Sequence, residues 1–169
     1  MITHESSKNQ VQLRKLEPTD VIYLYQWEND GAAWADGSNH NPLSQQDLRD
    51  YIASTTGDIY KDGQLRLIIV ADDLTVGCID LFDFDPRNRR AALGMYIAPE
   101  YRGKGIGYQA LEQLETIAFD HLNLRVLYAV IATNNIPCSS LYRRAGYQPS
   151  SVLPSWTLES DAVMWIKTK

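Results

Sequence analysis

Tyr101-Arg-Gly-Lys-Gly-Ile-Gly107 is the stretch on which the reading of this chain turns. It follows an apolar strand pattern, Ala91 to Ile97, and opens a helical pattern from Ile106 to Leu122. In that helix Ala110, Leu111, Leu114, Ile117 and Ala118 recur at three- and four-residue spacings, an apolar stripe. Three glycines at alternate positions let the backbone approach a ligand closely and adopt positive φ. The first amides of the helix are left bare, and the helix dipole adds positive potential there. Arg102 and Lys104 add two formal charges. Such a site suits a pyrophosphate. A P-loop would need glycine at Ala98 and a hydroxyl at Gly105, and has neither. A Rossmann fingerprint is formally present as Gly105-Ile-Gly107-Tyr-Gln-Ala110. However, no acid follows near 125–130, and the strand ends at Ile97, far upstream of the first glycine. The bland alternative is a glycine turn with no ligand, but two bases among three glycines are an odd way to build one.

Outward from the loop, the pattern alternates strands and helices. Val11–Leu16 alternates with period two, a half-buried strand. Thr19-Asp20 starts a helix to about 28, with Val21, Leu24 and Tyr25 on one face. Ser44 and Asp47 form a capping box for a second helix to about Ser54. Between these helices, Asn29 to Leu43 reads as a long loop. Leu65–Val70 and Val76–Phe84 make a hairpin around Asp72-Asp73, and Asp85-Pro86-Arg87-Asn88 turns the chain into the strand Ala91–Ile97. Val126–Ala132 is an apolar run expected to be buried on both faces. Ser139–Arg144 is a short helix with Gly146 as its C-cap, and strands near 147–152 and 161–167 close the chain. The expectation is a single domain over residues 1–169, α/β in class, with an antiparallel meander leading into a β-α-β crossover.

A second motif lies about thirty residues beyond the first. Asn135 is followed seven residues later by Tyr142, then by the pair Gly146-Tyr147. Together, Arg102-Gly-Lys-Gly105-Ile-Gly107 and Asn135…Tyr142…Gly146-Tyr147 closely resemble the two signatures of the GNAT superfamily of N-acetyltransferases. The resemblance spans roughly residues 11–168. It implies a mixed sheet flanked by helices whose central strands, here Ala91–Ile97 and Val126–Ala132, splay apart. It implies acetyl-CoA as co-substrate and no metal. Met95, Tyr96 and Ile97 would contact the pantetheine arm. Arg102, Gly103, Lys104, Gly105, Ile106 and Gly107 would cradle the pyrophosphate, and Asn135 and Tyr142 would also touch the cofactor. The spermidine/spermine and ribosomal-protein branches are the ones this chain resembles most.

The chemistry gives these residues tasks. Amine attack on a thioester expels a thiolate, and a phenol with a pKa of ~10 keeps a proton to give it. Family members use the tyrosine at the place of Tyr142 in this way; a core aromatic is the alternative. An alkylamine arrives protonated and needs a base. Relatives with a glutamate on the strand before the loop would have it near Ala92, where this chain has alanine. Asp80 and Asp83 fall where the spermidine enzymes carry acids and are the catalytic candidates in its place. Pairing with Arg87, Arg89 or Arg90 is their structural alternative. Glu28, Trp34, Asp36 and Asp80 are the candidate acceptor-binding residues, though Trp34 and Asp36 could equally shape a loop.

Charge supports a cationic acceptor. The net charge is −5. Residues 1–60 hold nine acids and four bases, whereas residues 61–169 hold twelve of each, so the excess lies in the first third. That is either a solvated surface or a field attracting a cation. The balance argues against nucleic acid, which needs a basic face. No run approaches the ~20 apolar residues of a membrane span, and Met1–Gln10 lacks an apolar leader core. A cytoplasmic protein with no membrane partner is expected. Cys78 and Cys138 read as two reduced, buried thiols. The scattered histidines suggest no metal cluster. The implied partners are a small cationic amine or peptide amine acceptor and a second copy of the chain as a homodimer. The acceptor alternatives are a polyamine, a protein N-terminus and an aminoglycoside; a non-catalytic CoA-binding domain is the alternative from another class.

Overall fold

The computed structural model describes residues 10–30 and 41–169. Trp34 and Asp36, with most of the long loop, lie outside the described residues. The strands are β1 (Val11–Lys15), β2 (Leu65–Ala71), β3 (Leu74–Asp85), β4 (Arg90–Ile97), β5 (Val126–Ala132), β6 (Gln148–Leu153) and β7 (Ala162–Thr168). They form one sheet in the order β1-β2-β3-β4-β5-β7-β6. Every pairing is antiparallel except β4 with β5, which is the crossover expected from the pattern.

The helices are α1 (Val21–Glu28), α2 (Gln45–Ser54), α3 (Ile59–Asp62), α4 (Ile106–Thr116) and α5 (Ile136–Arg144). The capping box of α2 is formed: Asp47 N donates to Ser44 Oγ at 3.0 Å, and Ser44 N donates to Asp47 Oδ2 at 2.8 Å. These bonds satisfy amides that a helix start leaves orphaned. The short α3 has no counterpart in the sequence pattern. It is a single turn capped by Asp58 and stopped by Gly63 in the left-handed region, too brief to show a period. Helix α4 ends in a π turn, Ile117–His121, and α5 begins at Ile136, three residues before the expected start.

Each side of the sheet gains its own apolar layer. Leu24 and Trp27 of α1 and Leu48 and Ile52 of α2 pack on Ile68 and Cys78. Trp27, rather than the expected Tyr25, joins Leu24 in the core; Tyr25 is 41% exposed. On the other side Ala110, Leu111 and Leu114 of α4 pack with Leu67, Ile69, Ile79, Leu81 and Leu93. Burying each such leucine or isoleucine contributes roughly 1.5–3 kcal/mol before entropy is charged. Gln113 of α4 reaches the edge strand, donating to Val11 O at 2.8 Å and accepting from Leu13 N at 3.2 Å.

Two further expectations are corrected. β5 is buried on one face only: Leu127, Ala129 and Ile131 are covered, while Val130 is 38% exposed. Among the described residues, helices α1 and α2 pack on β2 and β3 rather than on β5, whose second face is only partly covered. Cys138 is only partly buried, unlike Cys78. One glycine controls the spacing of the sheet. At Gly77 on β3, a Cβ would collide with the carbonyl oxygen of Tyr96 on β4, so only glycine lets these two strands meet so closely.

Candidate active site

The sheet opens between its two parallel strands. β4 and β5 pair only at Arg90↔Val126, Ala91↔Leu127 and Ala92↔Tyr128. From Leu93 onward β4 keeps its bonds to β3, while β5 keeps its bonds to β7. One edge of Leu93–Ile97 is therefore unpaired with β5, and such an edge offers donors and acceptors to an extended ligand. The gap leads to the glycine loop. Gly103 and Gly105 have φ of +74° and +78°, and a Cβ on either would meet nothing within 4 Å. Space is open there, and the first amides of α4 face it without intrahelical acceptors. Gly107 serves another purpose. Its Cβ would lie 3.2 Å from Met95 Sδ and 3.5 Å from Leu141 Cδ1, so glycine seats α4 against β4 and α5. Arg102 donates from Nε to Ile97 O at 2.7 Å and stacks 5.7 Å over Tyr96. Lys104 sits 5.5 Å over Tyr101. Open glycines, bare amides and two bases fit the diphosphate of CoA, and the free edge of β4 fits its amide-bearing arm.

Tyr142 lies on α5, 2% exposed, its ring edge-on to Tyr147 at 5.0 Å and 79°. Burial, with the neighbouring Cys138 and Glu115, pushes its phenol well above the ordinary value. It therefore holds its proton at any physiological pH. Asn135 caps α5, accepting from Cys138 N at 3.2 Å. Behind Tyr142, Lys167 Nζ donates to Glu115 Oε2 at 2.6 Å and to Ala145 O at 2.7 Å. Burial and the nearby Glu115 carboxylate raise the Tyr147 phenol as well.

The acids occupy the opposite side of the sheet. Asp80 is held by Arg66, not by Arg87, Arg89 or Arg90. Arg66 Nε and Nη2 donate to its two oxygens at 2.9 and 2.7 Å, and Nη1 donates to Glu28 Oε1 at 2.7 Å. Arg90 instead pairs with Asp85 at 3.2 Å. Asp83 sits in a bulge of β3, with φ of +46°, where the register shifts between Phe82 and Asp85. The bulge brings its carboxylate against the hydroxyl of Tyr128, whose phenol is raised by partial burial and by that charge. Tyr128 is the register partner of Ala92 at the last pair before the gap. Asp83 thus stands beside the position where relatives with a glutamate would carry it.

Residues 10–148 match the family described as "Acetyltransferase (GNAT) domain". The chain belongs to the GNAT acetyltransferases. It is an N-acetyltransferase, and the seven-stranded mixed sheet flanked by helices is this family's fold. The chain is 28% identical over 144 residues to spermidine N(1)-acetyltransferase of Escherichia coli (strain K12), covering 83% of this chain and 74% of that one. It is 24% identical over 140 residues to the spermidine N(1)-acetyltransferase of Vibrio cholerae, covering 82% and 79%. The crystal structure of the Vibrio cholerae spermidine N-acetyltransferase with CoA and spermine superposes with a TM-score of 0.85 at 21% identity, covering 94% of this chain and 95% of that one.

In this GNAT acetyltransferase the loop residues and Met95–Ile97 gather at one end of the gap, whereas Asp80 and Glu28 are drawn together by a cation that no sequence motif marks. Arg66 is the register partner of Asp80 on β2, and only the register reveals it. Tyr128 carries no signal of its own because it sits inside an apolar strand. Much of the acidic first third has local work: Asp20 binds Arg14 at 2.7 Å, Asp47 caps α2, Asp58 caps α3, and Asp50 accepts from Gln46 at 2.8 Å. Among the described residues no group of His, Cys, Asp or Glu gathers as a metal site, and no helix is long and apolar enough to cross a membrane.

Proposed function

We propose that this N-acetyltransferase uses acetyl-CoA to acetylate a small cationic primary amine, of the polyamine class, by direct attack of the amine on the thioester. The observation that carries the reading is the loss of β4–β5 pairing after Ala92, in line with the open glycine pair. Acetyl-CoA supplies an activated acyl group when bound. Arg102, Lys104 and the amides of residues 103–107 hold its diphosphate, Gly107 keeps that helix start close to Met95, and the free edge of Met95–Ile97 pairs with its arm. Asn135 contacts it while capping α5. Tyr142, kept protonated by burial, donates its hydroxyl hydrogen to the departing sulfur.

Asp83 is the better-placed base. Both oxygens of Asp80 are committed to Arg66, which leaves Asp80 and Glu28 as charges that shape the acceptor side. Asp83, next to Tyr128 at the mouth of the gap, takes the ammonium proton directly or through water. The two spermidine-acetylating relatives support a polyamine-type acceptor. A Vibrio cholerae homologue forms a dodecamer, and self-association of this chain belongs to the same reading. The test is free-thiol release from acetyl-CoA with a panel of polyamines, peptides bearing a free N-terminus, and aminoglycosides. Turnover with polyamines alone is expected; thiol release only with peptides would replace the acceptor, and CoA binding without any release would make the chain a silent binder.

A further inference from the structure

We propose that Lys167 is a positioning residue for the acid step: from β7 it fixes the C-terminal end of α5, and with it the Tyr142 ring. The inference rests on Tyr142 as the proton donor and adds what holds that donor in place. Lys167 Nζ donates to Ala145 O at 2.7 Å and to Glu115 Oε2 at 2.6 Å. The first bond takes a carbonyl at the end of α5, where a helix leaves its last acceptors orphaned and where a cation meets the negative end of the dipole. The same turn closes on Tyr142 itself, because Tyr147 N donates to Tyr142 O at 3.0 Å. Arg143 and Arg144, in the last turn of α5, stack over the rings of Trp165 and Tyr108 instead. Lys167 also reaches the wall beside the acid. Its ammonium lies 5.6 Å over the ring of Tyr147, which stands edge-on to Tyr142. Glu115 completes the cluster, since its charge bears on the phenols of both tyrosines.

One ammonium thereby ties α4, α5 and β7 together. Helix α4 starts at the loop assigned to the diphosphate and carries Glu115 in its last turn. A cofactor gripped at the start of α4 presents its sulfur at the far end of an arm of fixed length, so the acid must keep a fixed offset from that helix. Gly107 seats one end of α4 close to Leu141, and the Glu115–Lys167–Ala145 bridge sets the other. Apolar groups could also cover this place. Trp165, on the same face of β7, is buried, and exchanging a buried ion pair for apolar side chains is often neutral in stability. A pair kept for stability alone predicts a change in unfolding; a positioning pair predicts a slower chemical step that depends on the Tyr142 hydroxyl.

The experiment compares Lys167→Met, Lys167→Arg and Glu115→Leu/Lys167→Met, each with and without Tyr142→Phe, in the full chain. Lys167→Met strands Glu115, and the double variant removes both charges, so it decides the matter if the single variant does not fold. The readouts are thiol release with spermidine, or with the fastest amine of the panel if spermidine is inert, CoA affinity by calorimetry, and amide exchange at residues 145–147 of the unliganded chain. The expected result is that Lys167→Met and the double variant lower kcat about tenfold, with CoA affinity within about twofold of the parent. Lys167→Arg should recover most of the rate, exchange at 145–147 should quicken about tenfold in the Met variants, and the kcat effect should vanish in the Tyr142→Phe background. Unchanged kcat, unchanged exchange, or an equal fall in the Tyr142→Phe background would overturn the inference, as would failure of both Met variants to fold. If Tyr142→Phe is slow and Lys167→Met is not, this inference fails alone. If Tyr142→Phe matches the parent, or no amine is turned over, the acid reading fails and takes this inference with it.

Discussion

The two sides of the opened sheet are built by different rules. On the α4/α5 side, the groups assigned to the cofactor come from three short runs, 95–97, 102–107 and 135–142, at the end of β4, the start of α4 and along α5. On the α1/α2 side, the acids and rings of α1, β3 and β4 and the guanidinium of β2 meet only through sheet register and helix packing. One side is written locally, and the other is assembled across the chain. Cofactor machinery of this kind can stay constant while the acceptor side is rebuilt by changes scattered over distant elements.

Gly105→Val gives the largest effect on this comparison. A branched side chain at φ +78° is strained, and it projects into the space proposed for the diphosphate. CoA affinity by calorimetry should fall at least about a hundredfold, or ~2.7 kcal/mol, with circular dichroism unchanged; near-normal affinity would show that the loop is a turn and nothing more. Tyr142→Phe comes next. Loss of a proton donor costs roughly 10²–10⁴ in kcat, while CoA binding should persist; unchanged turnover would leave Tyr142 as a core aromatic. Arg66→Met probes the assembled side. It strands Asp80 and Glu28 with no guanidinium between them, and removal of one partner from a buried pair costs about 3–5 kcal/mol. These side chains keep about a fifth of their exposure, so a loss of about 2 kcal/mol in urea unfolding is expected. Stability equal to the parent would mean that solvent already carries those charges.

The smallest effect is a flat line. Burial raises the Tyr142 phenol; in the proposed acid role its protonated form acts, and activity would be lost only as pH passes the raised value. Between about pH 8 and 10, kcat should therefore show no ordinary phenol titration. A fall centred near ~10 that disappears in Tyr142→Phe would contradict the burial of this side chain.

Legibility in the sequence divides along the same line. Glycine spacing, a strand before it and an apolar stripe after it specify the open glycine turn and the helix it starts, because φ preferences and helix periodicity act over a few residues. The capping box of α2 is legible for the same reason. Arg66 with Asp80 is not: fourteen residues and a register, including the bulge between Ile69 and Val70, separate them. The apolar run of β5 reads as doubly covered because hydropathy does not say where a neighbouring helix stops. Tyr25 and Trp27 compete for the core because they flank Leu24 on opposite sides of the eight-residue α1, whose many apolar residues do not single out one flank. Gly107 reads as part of the anion cradle, and its contacts show that it also sets how tightly α4 docks.

The contact at Gly77 extends this logic to substrate range. That residue lies one strand removed from β5, yet it fixes how near β4 lies to β3 and hence how wide the slot on the far edge can be. A methyl group there would shove the whole strand outward and narrow the opening from behind. Variants that shut out bulkier amines should thus be sought at this hidden contact as well as among the residues that line the entrance.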